Sequence, residues 1–213
     1  MKSFLFRLVR LIFGLFVYGV GIVFMIRANI GYAPWDVFHA GLSNTLGISF
    51  GTASIWVGVM IVILAVFLGE RVGMGTLPNM LLIGVFIDLI MFLDVIPKSE
   101  NFVLGLLMMA IGMIVISLAT FFYIGSGFGA GPRDSLMVAV TRLTKLPVGA
   151  CRGAIEVMAV IAGWLLGGLL GIGTVISAFS IGFFVQMTFK VIRFDPTKVK
   201  HETLLDTVKQ LAK

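Results

Sequence analysis

Over 102–123 the chain carries no charged residue. At about 1.5 Å of rise per residue, a helical run of that length crosses the ~30 Å hydrocarbon core of a bilayer. Inside lipid a helix satisfies its own backbone amides and carbonyls, so such a run has few other ways to fold. Comparable runs recur along the chain, and composition agrees with them. Of 213 residues, 59% are hydrophobic and only 12% are charged, with a mean hydropathy of +1.11. An average soluble domain carries roughly twice that charge. Soluble, disordered, collagen-like and disulfide-stapled folds are all excluded, and the chain reads as an all-α polytopic membrane protein.

The rarer residues set further bounds. The single cysteine, Cys151, cannot form an intramolecular disulfide, and His39 and His201 are too few for a His-rich metal site. The net charge of +6 fits basic cytoplasmic loops better than nucleic-acid binding. The first apolar stretch follows Lys2, Arg7 and Arg10 and looks superficially like a signal peptide. It has no small-x-small cleavage site leading into a soluble domain, so it reads as a retained span.

Hydropathy predicts six spans at 8–26, 52–69, 76–93, 102–123, 149–170 and 174–191. Two further segments, 36–46 and 134–146, are apolar but reach only about 16–20 Å as helices. They read as re-entrant or interfacial half-helices. After Arg193 the chain turns polar into a basic tail, and 201–213 reads as a short amphipathic helix on the basic side.

An internal duplication organises the rest. A shift of 98 residues places Gly31, Pro34 and Asp36 on Gly129, Pro132 and Asp134 without a gap. The same shift pairs Gly51 with Gly149, Gly73-x-Gly75-Thr76 with Gly171-x-Gly173-Thr174, and Ile83-Gly84 with Ile181-Gly182. Apolar composition alone does not put Pro and Asp at matched positions. Repeat one covers 1–97 and repeat two 98–193, each with three spans and one half-helix; 194–213 is a cytoplasmic tail. An odd number of spans turns the second copy upside down, which predicts two inverted three-helix repeats. With both termini cytoplasmic, every Lys and Arg except Arg27 and Lys98 falls inside.

Both half-helices start with Gly-x-x-Pro-x-Asp. Glycine allows the turn, proline suits the first helical position, and aspartate complements the positive end of the helix dipole. Asp36 and Asp134 are therefore helix caps, or they line a solute or ion path where a broken helix meets a cavity. His39 follows Asp36 by one turn. Asp88 and its repeat partner Gln186 fall within spans, and an intramembrane Asp is a functional-site candidate. Glu156 lies one turn from Arg152, on the same helix face. The candidate path is thus Asp36, Asp134, Asp88, Gln186, Glu156 and His39, with Gly31, Pro34, Gly129 and Pro132 forming the turns.

Enzyme signatures are missing, and neither a cofactor nor a metal site is expected. His201-Glu202 lacks the second histidine of a zinc-protease helix, and Gly125-Ser126-Gly127 has no histidine base in any span. Gly129-x-Gly131 lacks the strand–helix unit of a nucleotide fingerprint. Gly73-x-Gly75-Thr76 reads as a hairpin with Thr76 as the next N-cap.

At its repeated Gly-x-x-Pro-x-Asp turn and Gly-x-Gly-Thr hairpin, the chain resembles the YczE/YyaS/YitT group of bacterial membrane proteins, its YczE-like branch most closely. The resemblance implies a multi-span protein of the bacterial cytoplasmic membrane and supplies no catalytic residues. The leading expectation is a small secondary transporter or permease for a small polar solute or ion. The alternative is a non-transporting scaffold or regulator. In that case Arg133, Arg142 and Lys145 would face a cytoplasmic protein, although anionic lipid explains them equally well. An intramembrane enzyme comes third. The expected partners are the lipid bilayer and the solute, with no nucleic acid; a homo-oligomer is compatible with the sequence.

Overall fold

The computed structural model describes residues 2–70, 73–129 and 131–199. These residues form eight α-helices: α1 (Lys2–Arg27), α2 (Pro34–Leu46), α3 (Phe50–Phe67), α4 (Thr76–Leu93), α5 (Phe102–Gly125), α6 (Pro132–Thr144), α7 (Val148–Leu165) and α8 (Ile172–Ile192). A short 3-10 turn, Pro196–Lys198, follows. Six of the helices, all but α2 and α6, are long and apolar enough to cross a membrane. The predicted amphipathic segment 201–213 lies outside the described residues.

Local chemistry sets the helix ends. The half-helices begin on Pro34 and Pro132, two residues before the aspartates, because proline fits the first helical position and lacks only an amide that would go unused there. α7 stops at Leu165, where hydropathy continues to 170, because Gly167 takes φ +85° and turns the chain out of the helix. Thr76 is the first residue of α4 and Gly75 is its N-cap, so the predicted Thr76 cap moves by one position.

The 98-residue spacing reappears in the fold. α2 and α6 each have 13 residues, α3 and α7 each have 18, and both pairs start at equivalent positions. Gly31 and Gly129 carry φ of +116° and +105°, which only glycine adopts without strain. Beside each, the same crossing bond forms: the Gly173 amide donates to the Ile30 carbonyl, and the Gly75 amide to the Phe128 carbonyl. The last turn of α6 covers the end of α3, where Arg142 donates to the Leu68 carbonyl at 2.6 Å. The last turn of α2 does likewise at α7, where Asn44 and Thr45 donate to the carbonyls of Gly167 and Leu166. These bonds satisfy terminal carbonyls that a helix leaves orphaned.

α1 and α5 form the central pair, with Leu15 and Met109 wholly buried in the main core. Each half-helix packs on a span of the other half, α2 on α7 and α6 on α3, while α4 lies on α1 and α8 on α5. Phe67, Phe92 and Phe179 are more than four-fifths exposed on the outside of the bundle, a surface suited to lipid. Arg10 donates to the Phe121 carbonyl near the end of α5, and Phe121 packs edge-on against Phe194 beyond α8. The start of α1 and the end of α8 therefore share one face. At the opposite face Arg27 pairs with Asp94.

One pair of contacts breaks the pattern. α3 and α4 pack tightly, whereas α7 and α8 scarcely touch. Between α3 and α4, a Cβ added to Gly51 would sit 2.0 Å from the Gly84 carbonyl oxygen, and one added to Gly84 would sit 2.5 Å from that of Gly51. At the equivalent Gly149 and Gly182, an added Cβ meets nothing within 4 Å. The two helices are joined at their other ends by the short turn through Gly167 and Gly171, so they separate towards the face that holds the chain termini.

Candidate functional site

A cavity of about 450 Å³ fills the space where the starts of α2 and α6 approach each other. Its lining comes in pairs 98 residues apart: Pro34 with Pro132, Trp35 with Arg133, Asp36 with Asp134, Asn79 with Ser177, Ser54 with Arg152, and Gly58 with Glu156. Tyr18 of α1, Tyr123 of α5 and Gln186 of α8 complete the polar wall. Tyr123 also donates to the Gly129 carbonyl at 3.0 Å, which holds the turn into α6.

The first two turns of α2 present Asp36 and His39, which are 4% and 1% exposed. Asp36 Oδ1 and His39 Nδ1 lie 3.3 Å apart, but neither makes a well-aligned hydrogen bond. The Arg133 Nη2 lies 3.5 Å from His39 Nε2, so that nitrogen is the natural acceptor and Nδ1 carries the proton that faces Asp36. The Arg133 guanidinium stacks over the Trp35 ring at 5.2 Å. Residues at equivalent positions of the two halves thus meet face to face. No carboxylate among the described residues forms an ion pair with Arg133.

Asp134, beside Arg133 on α6, has an exposed side chain on the cavity wall, and Arg152 and Arg133 are the cations that act on it. It forms no ion pair among the described residues. On α7 the Arg152 Nε donates to Glu156 Oε1 at 2.9 Å, so these two neutralise each other along one helix face. Neither half-helix has a capping hydrogen bond from its N-cap side chain, and residues of both first turns line the cavity. Among the described residues no group of three or more His, Cys, Asp or Glu is arranged to hold a metal ion.

Five of the six predicted path residues therefore line the cavity: Asp36, His39, Asp134, Glu156 and Gln186. Asp88 is used differently. Its carboxylate accepts from the Ser49 hydroxyl at 2.5 Å and from the Gly51 amide at 2.7 Å, so it caps the start of α3. α4 and α8 make no sustained contact, and the structure does not bring Asp88 to Gln186. Asp88→Ala is expected to cost about 1–2 kcal/mol of stability through the lost cap, while Asp88→Asn keeps the acceptor and most of that stability. Thermal unfolding of the two variants in the same detergent checks this.

Arg133 is also differently placed from the sequence reading. It does not join Arg142 and Lys145 on a cytoplasmic surface; Arg142 pairs with Glu70, while Arg133 turns inward over Trp35. The signal was present in the repeat alignment, which puts Trp35 opposite Arg133, an aromatic face opposite a cation. Tyr18 and Tyr123 had no such signal, because single tyrosines in apolar helices look like core.

An all-helical bundle with six helices long and apolar enough to span a membrane, and a charged, solute-sized cavity between two half-helix starts, defines a polytopic integral membrane protein. Within that class the chain belongs to the family of unknown function DUF6198, which it matches over residues 5–190. It is 33% identical to the "Uncharacterized membrane protein YczE" of Bacillus subtilis over 177 residues, 82% of this chain and 81% of that protein. An "Uncharacterized protein" of Haemophilus influenzae is 30% identical over 182 residues, covering 85% and 83% of the two chains. The "Uncharacterized protein YyaS" of Bacillus subtilis is 24% identical over 181 residues, covering 84% and 90%. No solved structure matches the chain.

Proposed function

We propose that this protein is a small secondary transporter for a small polar solute or ion, built as two inverted repeats around the central cavity. It sits in the bacterial cytoplasmic membrane with both termini cytoplasmic, and it carries out no covalent chemistry. The observation that carries the reading is the unequal state of two equivalent helix pairs. The Gly51–Gly84 contact closes α3 on α4, while Gly149 and Gly182 face open space. Two like hairpins, one shut and one open around a shared site, are what rocking between two access states requires. With the termini inside, this is the state open to the cytoplasm, and the exchange of open and shut hairpins opens the site to the other side.

Reconstitution tests the proposal. Proteoliposomes offered a mixture of small polar solutes and ions are expected to take up at least one of them faster than protein-free vesicles. Lumen contents indistinguishable from those of empty vesicles would remove the transport reading. Orientation is checked separately in a Cys151→Ala background. Lys98→Cys is expected to react with an impermeant thiol reagent from outside intact cells, and Lys145→Cys only after permeabilisation.

A further inference from the structure

The charges in the cavity point to a more specific occupant. Three carboxylates (Asp36, Asp134 and Glu156) and two guanidiniums (Arg133 and Arg152) line it. Arg152 and Glu156 cancel each other at 2.9 Å. The remaining groups fall into two uncompensated sets. Arg133 has an aromatic ring and a histidine for neighbours and no carboxylate partner among the described residues. Asp134, exposed to the cavity, has no cation in contact among those residues, and Asp36, 4% exposed, has only the His39 Nδ1 beside its Oδ1, at 3.3 Å. Charges without an ionic partner at membrane depth are costly unless water or a ligand compensates them.

We infer that the cavity selects a small zwitterion, with Arg133 taking its acidic group and Asp134, backed by Asp36, taking its amino or ammonium group. A simple anion would add to an already net negative set of side chains. A simple cation would leave Arg133 unpaired. A zwitterion satisfies both sets and adds no net charge. Arg133 and Asp134 both line this one cavity at the start of α6, so a single small molecule held there meets both charges. A guanidinium stacked on one face keeps its N–H edge free for a carboxylate, and the uncapped first-turn amides of the half-helices are further donors for an anionic group. This inference rests on the solute-binding reading above and assigns that site its substrate class.

The test separates binding from flux. Purified wild-type protein in lipid nanodiscs is melted in the presence of three pools. One contains α-, β- and γ-amino acids and betaines; the second contains the matching acids without the amine; the third contains the matching amines without the acid. The zwitterion pool alone is expected to raise the melting temperature. For the member that stabilises most, Arg133→Gln and Asp134→Asn are each expected to weaken binding about thirtyfold or more. Arg133→Gln should in addition abolish the preference for the zwitterion over its amine-only analogue, and Asp134→Asn the preference over the acid-only analogue. The inference is overturned if the acid or amine pool stabilises the wild type equally well, or if no pool stabilises it. The pool comparison uses only the wild-type protein, so it stands even where a substitution misfolds. Zwitterion binding without uptake in proteoliposomes sinks transport and keeps this inference; uptake of solutes with no zwitterion preference does the reverse.

Discussion

Gly149→Leu and Gly182→Leu are expected to leave the protein folded and to stop flux, whereas Gly51→Leu and Gly84→Leu are expected to prevent correct folding. The four positions are two equivalent pairs in sequence, so any difference comes from the state of the structure. At Gly51 and Gly84 a side chain would drive into the backbone of the neighbouring helix, since even a Cβ lands 2.0–2.5 Å from a carbonyl oxygen. Overpacking a tight helix crossing costs about 3 kcal/mol or more, which a membrane protein of this size cannot easily absorb. At Gly149 and Gly182 the same side chain enters open space, and a leucine improves local helix propensity by up to about 1 kcal/mol over glycine. Stability should hold or rise. What a leucine prevents there is closure of α7 on α8. Melting curves and proteoliposome uptake measured on all four variants distinguish the two outcomes. Normal flux through Gly149→Leu and Gly182→Leu would show that α7 and α8 need not close, and the alternating-access reading would then fail.

Asp36→Asn and Asp134→Asn are expected to cut flux about tenfold or more, a loss of about 1.4 kcal/mol of coupling or binding, without loss of stability. Asn is as good a helix cap as Asp, so a purely capping role predicts variants close to wild type in every assay. Asn keeps the shape and accepts hydrogen bonds, but it cannot ionise or balance a cation. In Asp36 the uncharged amide also removes the cost of a buried carboxylate whose polar neighbour is the His39 ring at 3.3 Å, so its melting temperature should stay level or increase. Expression, melting temperature and uptake are read in the same membranes. If both variants transport normally, the two carboxylates are structural and the cavity loses its most characteristic residues.

The readings that succeeded rest on local chemistry. Hydropathy located α4 at 76–93 without error because length and apolarity are properties of the segment alone. Pro34 and Pro132 announce the half-helices because proline at the first helical turn is a backbone rule that needs no partner. Gly31 and Gly129, paired by the 98-residue shift, both take positive φ, and Asp36, Asp134, Glu156, His39 and Gln186 lie on one cavity wall. The sequence is least informative where a residue's surroundings depend on what lies across from it. Asp88 looks like a midplane site carboxylate, yet it caps α3 because the α3–α4 hairpin brings Ser49 and Gly51 to it. Arg133 looks like a surface cation until α2 delivers Trp35 beneath it.

By itself the sequence determines a helical membrane protein with six spans and two short helices that start on Pro34 and Pro132, since each of these follows from runs and turns along the chain. Only the tertiary structure decides that Trp35 meets Arg133, that one equivalent helix pair is shut and the other open, and that an unbalanced set of charges lies between them. The physical reason is that the two halves carry the same glycines and the same helix starts. Local preferences are therefore nearly equal, and the difference between α3–α4 and α7–α8 resides in packing across the whole bundle.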